Sequence, residues 1–229
     1  MTDAEGAAGV AGAAADAGAA ADAGGDAPER SVEVELKFDA DADTRVPDFS
    51  GLPGVASVTA GELRELDARY LDTAEFSLAS AGYALRRRTG GHDAGWHIKG
   101  PRVGDARVEL QWPLGEWDTV PGAAVAALAH VTDAPLGPLA RIRNQRTAYN
   151  LLDASGGVVA EFADDHVDTL DERSGATREW REWEIELGPA APSDADERAA
   201  FFAAVRDAVF AAGGREASSA SKLARALGY

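Results

Sequence analysis

Apolar and polar positions alternate strictly over Val32-Glu33-Val34-Glu35-Leu36-Lys37-Phe38. This predicts a strand with Val32, Val34, Leu36 and Phe38 on one face and Glu33, Glu35 and Lys37 on the other. The same period of two predicts strands over residues 63–71, 83–89, 95–100 and 106–114, separated by Gly- and Asp-bearing turns. Residues 139–153 and 158–170 read as a hairpin around Ser155-Gly156-Gly157, and residues 177–187 as an eighth strand. Helical signals lie between and after the strands. Asp72-Thr73 reads as an N-cap for a helix over 74–81 that Gly82 stops. Residues 120–131 read as a helix with Pro121 in the first turn. Over 192–213, Phe201, Val205 and Val209 recur at helical spacing behind Ser193 or Asp194 as cap, and 218–227 is a last short helix. Residues 46–56 form a Pro- and Gly-punctuated connection with room for a short helix. The expected class is α+β: an eight-stranded antiparallel closed β-barrel, which leaves no free edge, with helices at its ends and between its halves.

Residues 1–30 are almost entirely Ala, Gly and Asp. With so little apolar surface to bury, they read as a disordered acidic tail ahead of one domain over 31–229. In a chain of 229 residues, 45% hydrophobic content and five Trp supply a core of that size. The Trp residues read as core or barrel exterior. Absence of cysteine excludes disulfides, thiolate zinc sites and a cysteine nucleophile. A net charge of −17 argues against nucleic acid or an anionic membrane as partner. No window approaches the ~20 apolar residues of a membrane-crossing helix, and no basic-then-apolar leader opens the chain. The expectation is a cytoplasmic monomer or homodimer. No G-x-x-x-x-G-K-[ST] segment occurs, which excludes P-loop chemistry.

What the polar strand faces carry changes the picture. Glu33, Glu35 and Lys37 share a face; so do Arg86 and Arg88; His97 and Lys99; Arg107, Glu109 and Gln111; Glu161 and Asp165; Glu182, Glu184 and Glu186. A solvated face mixes Thr, Ser, Gln, Lys and Glu, whereas these positions are nearly all Arg or carboxylate. The signs are also sorted: acids dominate the first and last strands, bases the third to fifth. A cavity with one acidic and one basic wall suits a metal-bound polyanion. Carboxylates hold hard divalent ions through oxygen, and Arg grips phosphate bidentately. Glu33 and Glu35 stand about 6.6–7 Å apart along a strand, close enough to serve one ion or two adjacent ones. Arg141 and Arg143 have the opposite parity to Arg146, so they do not all face inward; Arg146 is favoured.

These segments resemble the CYTH superfamily, the triphosphate tunnel metalloenzymes. Glu33-Val34-Glu35-Leu36-Lys37 matches its N-terminal E-x-E-x-K. Tyr70-Leu71-Asp72-Thr73, Ala84-Leu85-Arg86-Arg87-Arg88, Trp96-His97-Ile98-Lys99, Arg107-Val108-Glu109, Arg143-Asn144-Gln145-Arg146-Thr147, Glu161 to Asp165, Glu184-Ile185-Glu186 and Ser221-Lys222-Leu223 follow in the family's order. The resemblance covers 31–227 and implies a tunnel that binds a triphosphate-containing small molecule with Mg2+ or Mn2+. Carried over residue by residue, it implies Glu33, Glu35, Asp165, Glu184 and Glu186 as metal ligands, with Glu109 and Glu182 as additions. It implies Lys37, Arg86, Arg88, Lys99, Arg107, Arg146 and Lys222 as phosphate-binding groups, and Glu35, Lys37 and Arg88 as the catalytic ones. Arg87 interrupts the apolar outward face and is expected near a strand end. Some members carry a C-terminal helical domain linked to polyphosphate; this chain reads as a stand-alone CYTH protein. The expected activity is hydrolysis of inorganic triphosphate to diphosphate and phosphate. Class IV-type adenylyl cyclase, thiamine or nucleoside triphosphatase, and a non-hydrolytic polyphosphate or nucleotide sensor remain as alternatives.

Overall fold

The structure is a computed structural model that describes residues 27–104, 106–115 and 119–229. Its elements in chain order are β1 (Glu29–Ala40), β2 (Ser57–Val58), β3 (Glu62–Asp72), α1 (Ser77–Ser80), β4 (Ala84–Thr89), β5 (Gly95–Val103), β6 (Ala106–Trp112), α2 (Gly122–Leu128), β7 (Gly137–Leu152), β8 (Val158–Asp171), β9 (Thr177–Leu187), α3 (Ala195–Ala212), β10 (Arg215–Glu216) and α4 (Lys222–Leu227). Strands pair antiparallel in the order β1-β6-β5-β4-β3-β7-β8-β9, and β9 returns to pair with β1. The eight strands therefore form a closed barrel, as the strand pattern predicts. The two-residue strands β2 and β10 add to β7 and β1 outside the ring.

The barrel is apolar outside and charged inside. On β1, outward Leu36 and Phe38 pack with Trp183 and Ile185 of β9 beneath Phe201, Val205 and Val209 of α3. On the opposite flank, Leu85, Trp96, Ile98 and Trp112 pack against Leu78 of α1 and Ala124 and Leu128 of α2. The charged strand faces are thus not the solvated ones. Trp96 and Trp112 belong to this outer core, being 1% and 3% exposed. A third cluster joins Leu223, Ala226 and Leu227 of α4 to Ala68, Tyr70 and Ile142. Because Ala68, Tyr70 and Ile142 also line the interior cavity, α4 reaches them through an open end of the ring.

Several boundaries differ from expectation. β1 begins at Glu29, where Glu29 and Arg30 extend the ladder to Gln111 and Leu110; the rest of the expected tail, 1–26, lies outside the described residues. β6 stops at Trp112 rather than 114. Residues 46–56 form turns instead of a helix, with Phe49 and Leu52 buried in the core beside β1 and β8. Helix α1 starts at Ser77, three residues late. Asp72 accepts hydrogen bonds from the Thr73, Leu78 and Ala79 amides, and Thr73 Oγ1 accepts from Ser77 N, so capping acts across a preceding turn. That turn places Phe76 at φ 59°, the positive-φ non-glycine residue among the described residues. Of the two candidate caps for α3, Asp194 is used: it accepts from Asp196 N and Glu197 N.

Candidate functional site

The inward faces enclose a cavity of about 610 Å³. Parity along β4, β5 and β6 directs Arg86, Arg88, Lys99 and Arg107 into it, and Arg146 of β7 closes this basic side. Arg86 donates to the Tyr70 hydroxyl and to Glu109 Oε1, both at 3.4 Å. Lys99 donates to both oxygens of Glu33 at 2.9 and 2.6 Å. Arg146 grips Asp165 with two bonds of 2.8 and 2.7 Å and reaches Glu184 at 2.5 Å. Arg88 pairs with Asp93, yet its Nε is buried without an acceptor. Burial and the adjacent Arg86 and Arg146 guanidiniums push Arg88 down to about 9. Arg107 forms no ion pair among the described residues, and its Nε is likewise buried and unpaired. Burial and the neighbouring Arg102 lower it too. Each therefore keeps a buried guanidinium N–H without an acceptor.

Across the cavity stand the acids of β1, β8 and β9. Register sets Glu35 opposite Glu186 and Lys37 opposite Glu184. Lys37 pairs with Glu35 at 2.9 Å and with Glu184. Carboxylate oxygens of Asp165, Glu182 and Glu184 lie within 4.8 Å of one another. The Lys222 ammonium sits among them at 2.8, 2.5 and 2.7 Å. Glu186 forms no ion pair among the described residues, and burial raises its pKa. Burial and the Glu109 carboxyl push Glu33 up to about 7 against the pull of the Lys99 ammonium. The donor set is all oxygen, which fits a hard divalent cation. Glu33, Glu35 and Glu186 line the cavity together; Lys99 pairs with Glu33, and Lys37 and Arg102 pair with Glu35.

Glu33, Glu35, Lys37, Arg86, Arg88, Lys99, Arg107, Arg146, Glu184, Glu186 and Lys222 line this cavity, while Glu109, Asp165 and Glu182 lie behind the lining, paired with Arg86, Arg146 and Lys222. Asp165 is fully buried beneath Arg146 and Lys222. Arg146 is the inward arginine of β7, while Arg141 pairs with Asp67 and Arg143 is exposed. Arg87 lies on the outward parity, opposite Arg69 and Trp96. Reading the sequence misses Arg102, which donates to Glu35 Oε1 at 2.7 Å. Its parity opposes that of Lys99, but the register shifts between Lys99 and Arg102 at Gly100-Pro101 and turns it to the face of Arg107. That Gly-Pro pair is the available signal for a bulge. Arg64 is also missed; it donates to Glu161 at 3.2 and 3.0 Å and shares the inward parity of Tyr70. His97 is buried between Glu109 Oε1, 2.8 Å from Nδ1, and the Asp93 carbonyl, 2.9 Å from Nε2. It thereby fixes the carboxylate that Arg86 leans on.

Comparison with known proteins agrees with this geometry. The family model described as the CYTH domain matches residues 31–227. Uncharacterized proteins from two strains of Mycobacterium tuberculosis are each 38% identical over 213 residues, covering 88% of this chain and 41% of theirs. The chain thus spans about two fifths of the length of the curated relatives it matches. Among solved structures, a candidate adenylate cyclase from Bacillus halodurans superposes with a TM-score of 0.57 at 15% identity, covering 86% of this chain and 97% of that one. A candidate adenylyl cyclase from Hippeastrum, reported to have a dominant triphosphatase activity, gives 0.52 at 19% identity, covering 86% and 94%. These two likenesses concern the fold. Among the described residues no helix is long and apolar enough to cross a membrane. With its motifs in order along 31–227 and its charged faces turned into a closed barrel, the chain belongs to the CYTH family.

Proposed function

We propose that this protein hydrolyses a triphosphate in a Mg2+- or Mn2+-dependent reaction, with inorganic triphosphate, cleaved to diphosphate and phosphate, as the minimal substrate. The observation that carries the proposal is the set of unsatisfied donors on the basic wall: Nε of Arg86, Arg88 and Arg107 is buried without an acceptor, and Arg107 has no ion-pair partner among the described residues. A chain of phosphate oxygens supplies the missing acceptors along Arg86, Arg88, Lys99 and Arg107. These side chains are held in place before the substrate arrives, so their charge acts on the transferring phosphoryl group without reorganisation. Lys37, held by Glu35 and Glu184 at the junction of the walls, steadies the end of the chain nearest the acids. Glu33, Glu35 and Glu186, with Asp165 and Glu184 behind them, would hold the divalent ion, which when bound supplies neutralisation of phosphate charge.

A second reading is a triphosphate that carries an aromatic or apolar group, such as a nucleoside or thiamine. It is favoured by Phe76, Tyr83, Leu223 and Leu227, which line the same cavity and have nothing to offer an inorganic ion. One panel separates the readings: phosphate release from triphosphate, ATP, thiamine triphosphate and long polyphosphate with Mg2+ and Mn2+, alongside an assay for cyclic AMP. Phosphate from inorganic triphosphate supports the first. Cyclic AMP without orthophosphate overturns hydrolysis in favour of cyclisation. Binding without any product leaves a sensor.

A further inference from the structure

The two ends of the cavity are built differently. At one end the lining continues past the strands into the segment around α1 and into α4, with Phe76, Tyr83, Leu223 and Leu227 beside Glu75. At the other end, among the described residues, a single loop residue reaches the cavity. It is Asp93, from the turn over 90–94 that joins β4 to β5.

β4 runs from the first end to the second. Ala84 opens it next to Tyr83, Arg86 and Arg88 follow on the inward face, and Thr89 leads into the turn. Lys99 stands opposite Ala84 in register. The cations of β4 and β5 therefore come in the order Lys99, Arg86, Arg88, the last two about 6.6–7 Å apart along the strand. Past Arg88 stands the Asp93 carboxylate, whose Oδ2 pairs with Arg88 Nη2. The guanidinium is thus divided: Nη2 goes to the turn, and Nε is left without an acceptor.

Two contacts fix the turn that carries Asp93. The buried His97 ring places Nε2 at 2.9 Å from the Asp93 carbonyl oxygen, which can only accept. Gly90, at φ 80°, lies against β3 so closely that a Cβ there would collide with the Glu65 carbonyl oxygen. The Asp93 side chain itself is 54% exposed. A half-exposed carboxylate is solvated by water, and its ion pair adds little to stability. Its charge matters instead to an anion that reaches the end of the cavity. Arg64, near the start of β3 at this same end, offers no relief. It is engaged by Glu161 at 3.2 and 3.0 Å and by Glu62 at 2.8 Å.

We infer that Asp93 is a chain-length determinant. It closes a row of cations with a negative charge, so a phosphate chain gripped by Lys99, Arg86 and Arg88 ends there, and a chain extended past Arg88 meets like charge. Selection of this kind works by repelling the longer competitor and not by gripping the shorter one more tightly. The inference deepens the triphosphate reading above and rests on it: the substrate class becomes short phosphate chains in preference to long ones.

The test compares inorganic triphosphate with long-chain polyphosphate. Isothermal calorimetry on the full chain without metal gives the ratio of their Kd values, counted per chain, and phosphate release with Mg2+ gives the ratio of kcat/KM. Asp93→Asn keeps the shape and removes the charge. It should shift both ratios toward the long chain by about tenfold at low salt. The calorimetric shift should shrink as NaCl is raised from about 0.01 to 0.15 M, where the screening length falls from roughly 30 to 8 Å. Asp93→Glu keeps the charge and should keep the wild-type ratios. If Asp93 served only to position Arg88, Asp93→Asn would weaken both anions alike. Unchanged ratios, or a shift that Asp93→Glu reproduces, overturn the inference. Should Asp93→Asn not fold, Asp93→Ser, also uncharged, is read in the same way. Absence of phosphate release with the calorimetric shift intact overturns hydrolysis alone. A wild type that binds neither anion overturns both readings.

Discussion

The two faces of the same strands do opposite things. On β1, outward Phe38 is 1% exposed and packs against apolar neighbours; one residue away, Lys37 points inward among carboxylates. The outward face gains from excluding water and has no further requirement. The inward face pairs most of its charges with one another, which at best offsets their desolvation, and leaves Arg88, Arg107 and Glu186 under-compensated. Stability therefore resides in the shell, and binding capacity in what the lining lacks. Substitutions on one face should affect a different observable from substitutions on the other.

The largest effect should come from the shell. Trp183 is fully buried between β1, β8 and α3, and its Nε1 donates to Asp164 Oδ1 at 3.0 Å. Trp183→Ala should cost about 3–5 kcal/mol, or roughly 6–20 °C in melting temperature for a domain of this size. Turnover of the fraction that stays folded should be near wild type. Differential scanning calorimetry and an assay below the transition check both parts; a lining that loses activity in proportion to stability would merge the two faces.

The converse variant is Arg88→Ala. Its turnover should fall by about 10²–10³, the effect of removing one preorganised donor from a developing charge. Its melting temperature should hold or rise, because the guanidinium is crowded by Arg86 and Arg146. If the variant instead melts early and keeps its turnover, Arg88 belongs to the architecture and not to the site.

This division explains what could be read from the chain beforehand. The alternation in Val32 to Phe38 and the sorting of Arg and carboxylate by strand are local patterns, and they survive into the barrel unchanged. Which face points inward is not local. No single strand shows it, since isolated antiparallel strands wet their charged face; the sorting of Arg and carboxylate across several strands pointed to it, and the resemblance implied it. Arg102 escaped because a bulge at Gly100-Pro101 inverts parity, and no period-two reading crosses it correctly. Lys222 could be placed at the tunnel from Ser221-Lys222-Leu223, but its partners could not. Its contacts with Asp165, Glu182 and Glu184 require residues from β8, β9 and α4 to meet, which depends on tertiary register. Helix α1 was misplaced because Asp72 caps it from across a turn rather than next to it.

Ligands should probe the lining without any mutation. A ligand that binds only the folded state adds about 2.7 kcal/mol at a hundredfold excess over its Kd, or roughly 5–10 °C here. Triphosphate meets the unsatisfied donors of Arg88 and Arg107, and a divalent ion the carboxylates of Glu33, Glu35 and Glu186 in the lining. Together they should stabilise more than the sum of either alone, and NaCl at equal ionic strength much less. Thermal melts with Ca2+, with triphosphate, with both and with salt measure this. A flat response across the four would mean that the lining needs neither partner.

The smallest expected effect is in pH and falls on Glu33. Burial and the Glu109 carboxyl hold its pKa near 7 in the folded protein, against 4.5 as the ordinary value. Between those values the folded state keeps a proton that the unfolded chain has released. Stability without metal should therefore fall as pH rises through this window, being greatest, as far as this group is concerned, below 4.5. A divalent ion at Glu33 has to displace that proton. Its affinity should be independent of pH above about 7 and weaken by up to about tenfold per unit below it, one proton being released for each ion bound. Mn2+ titrations from roughly pH 5.5 to 8 read the slope, and isothermal calorimetry in buffers of different ionisation enthalpy counts the proton. Glu33→Gln should abolish the slope while lowering the affinity at high pH, because the amide has no proton to lose and no charge to offer. A slope that persists in Glu33→Gln would move the proton to Glu186, whose pKa burial also raises. The ion would then be held chiefly from β9, and β1 would contribute mainly through Glu35.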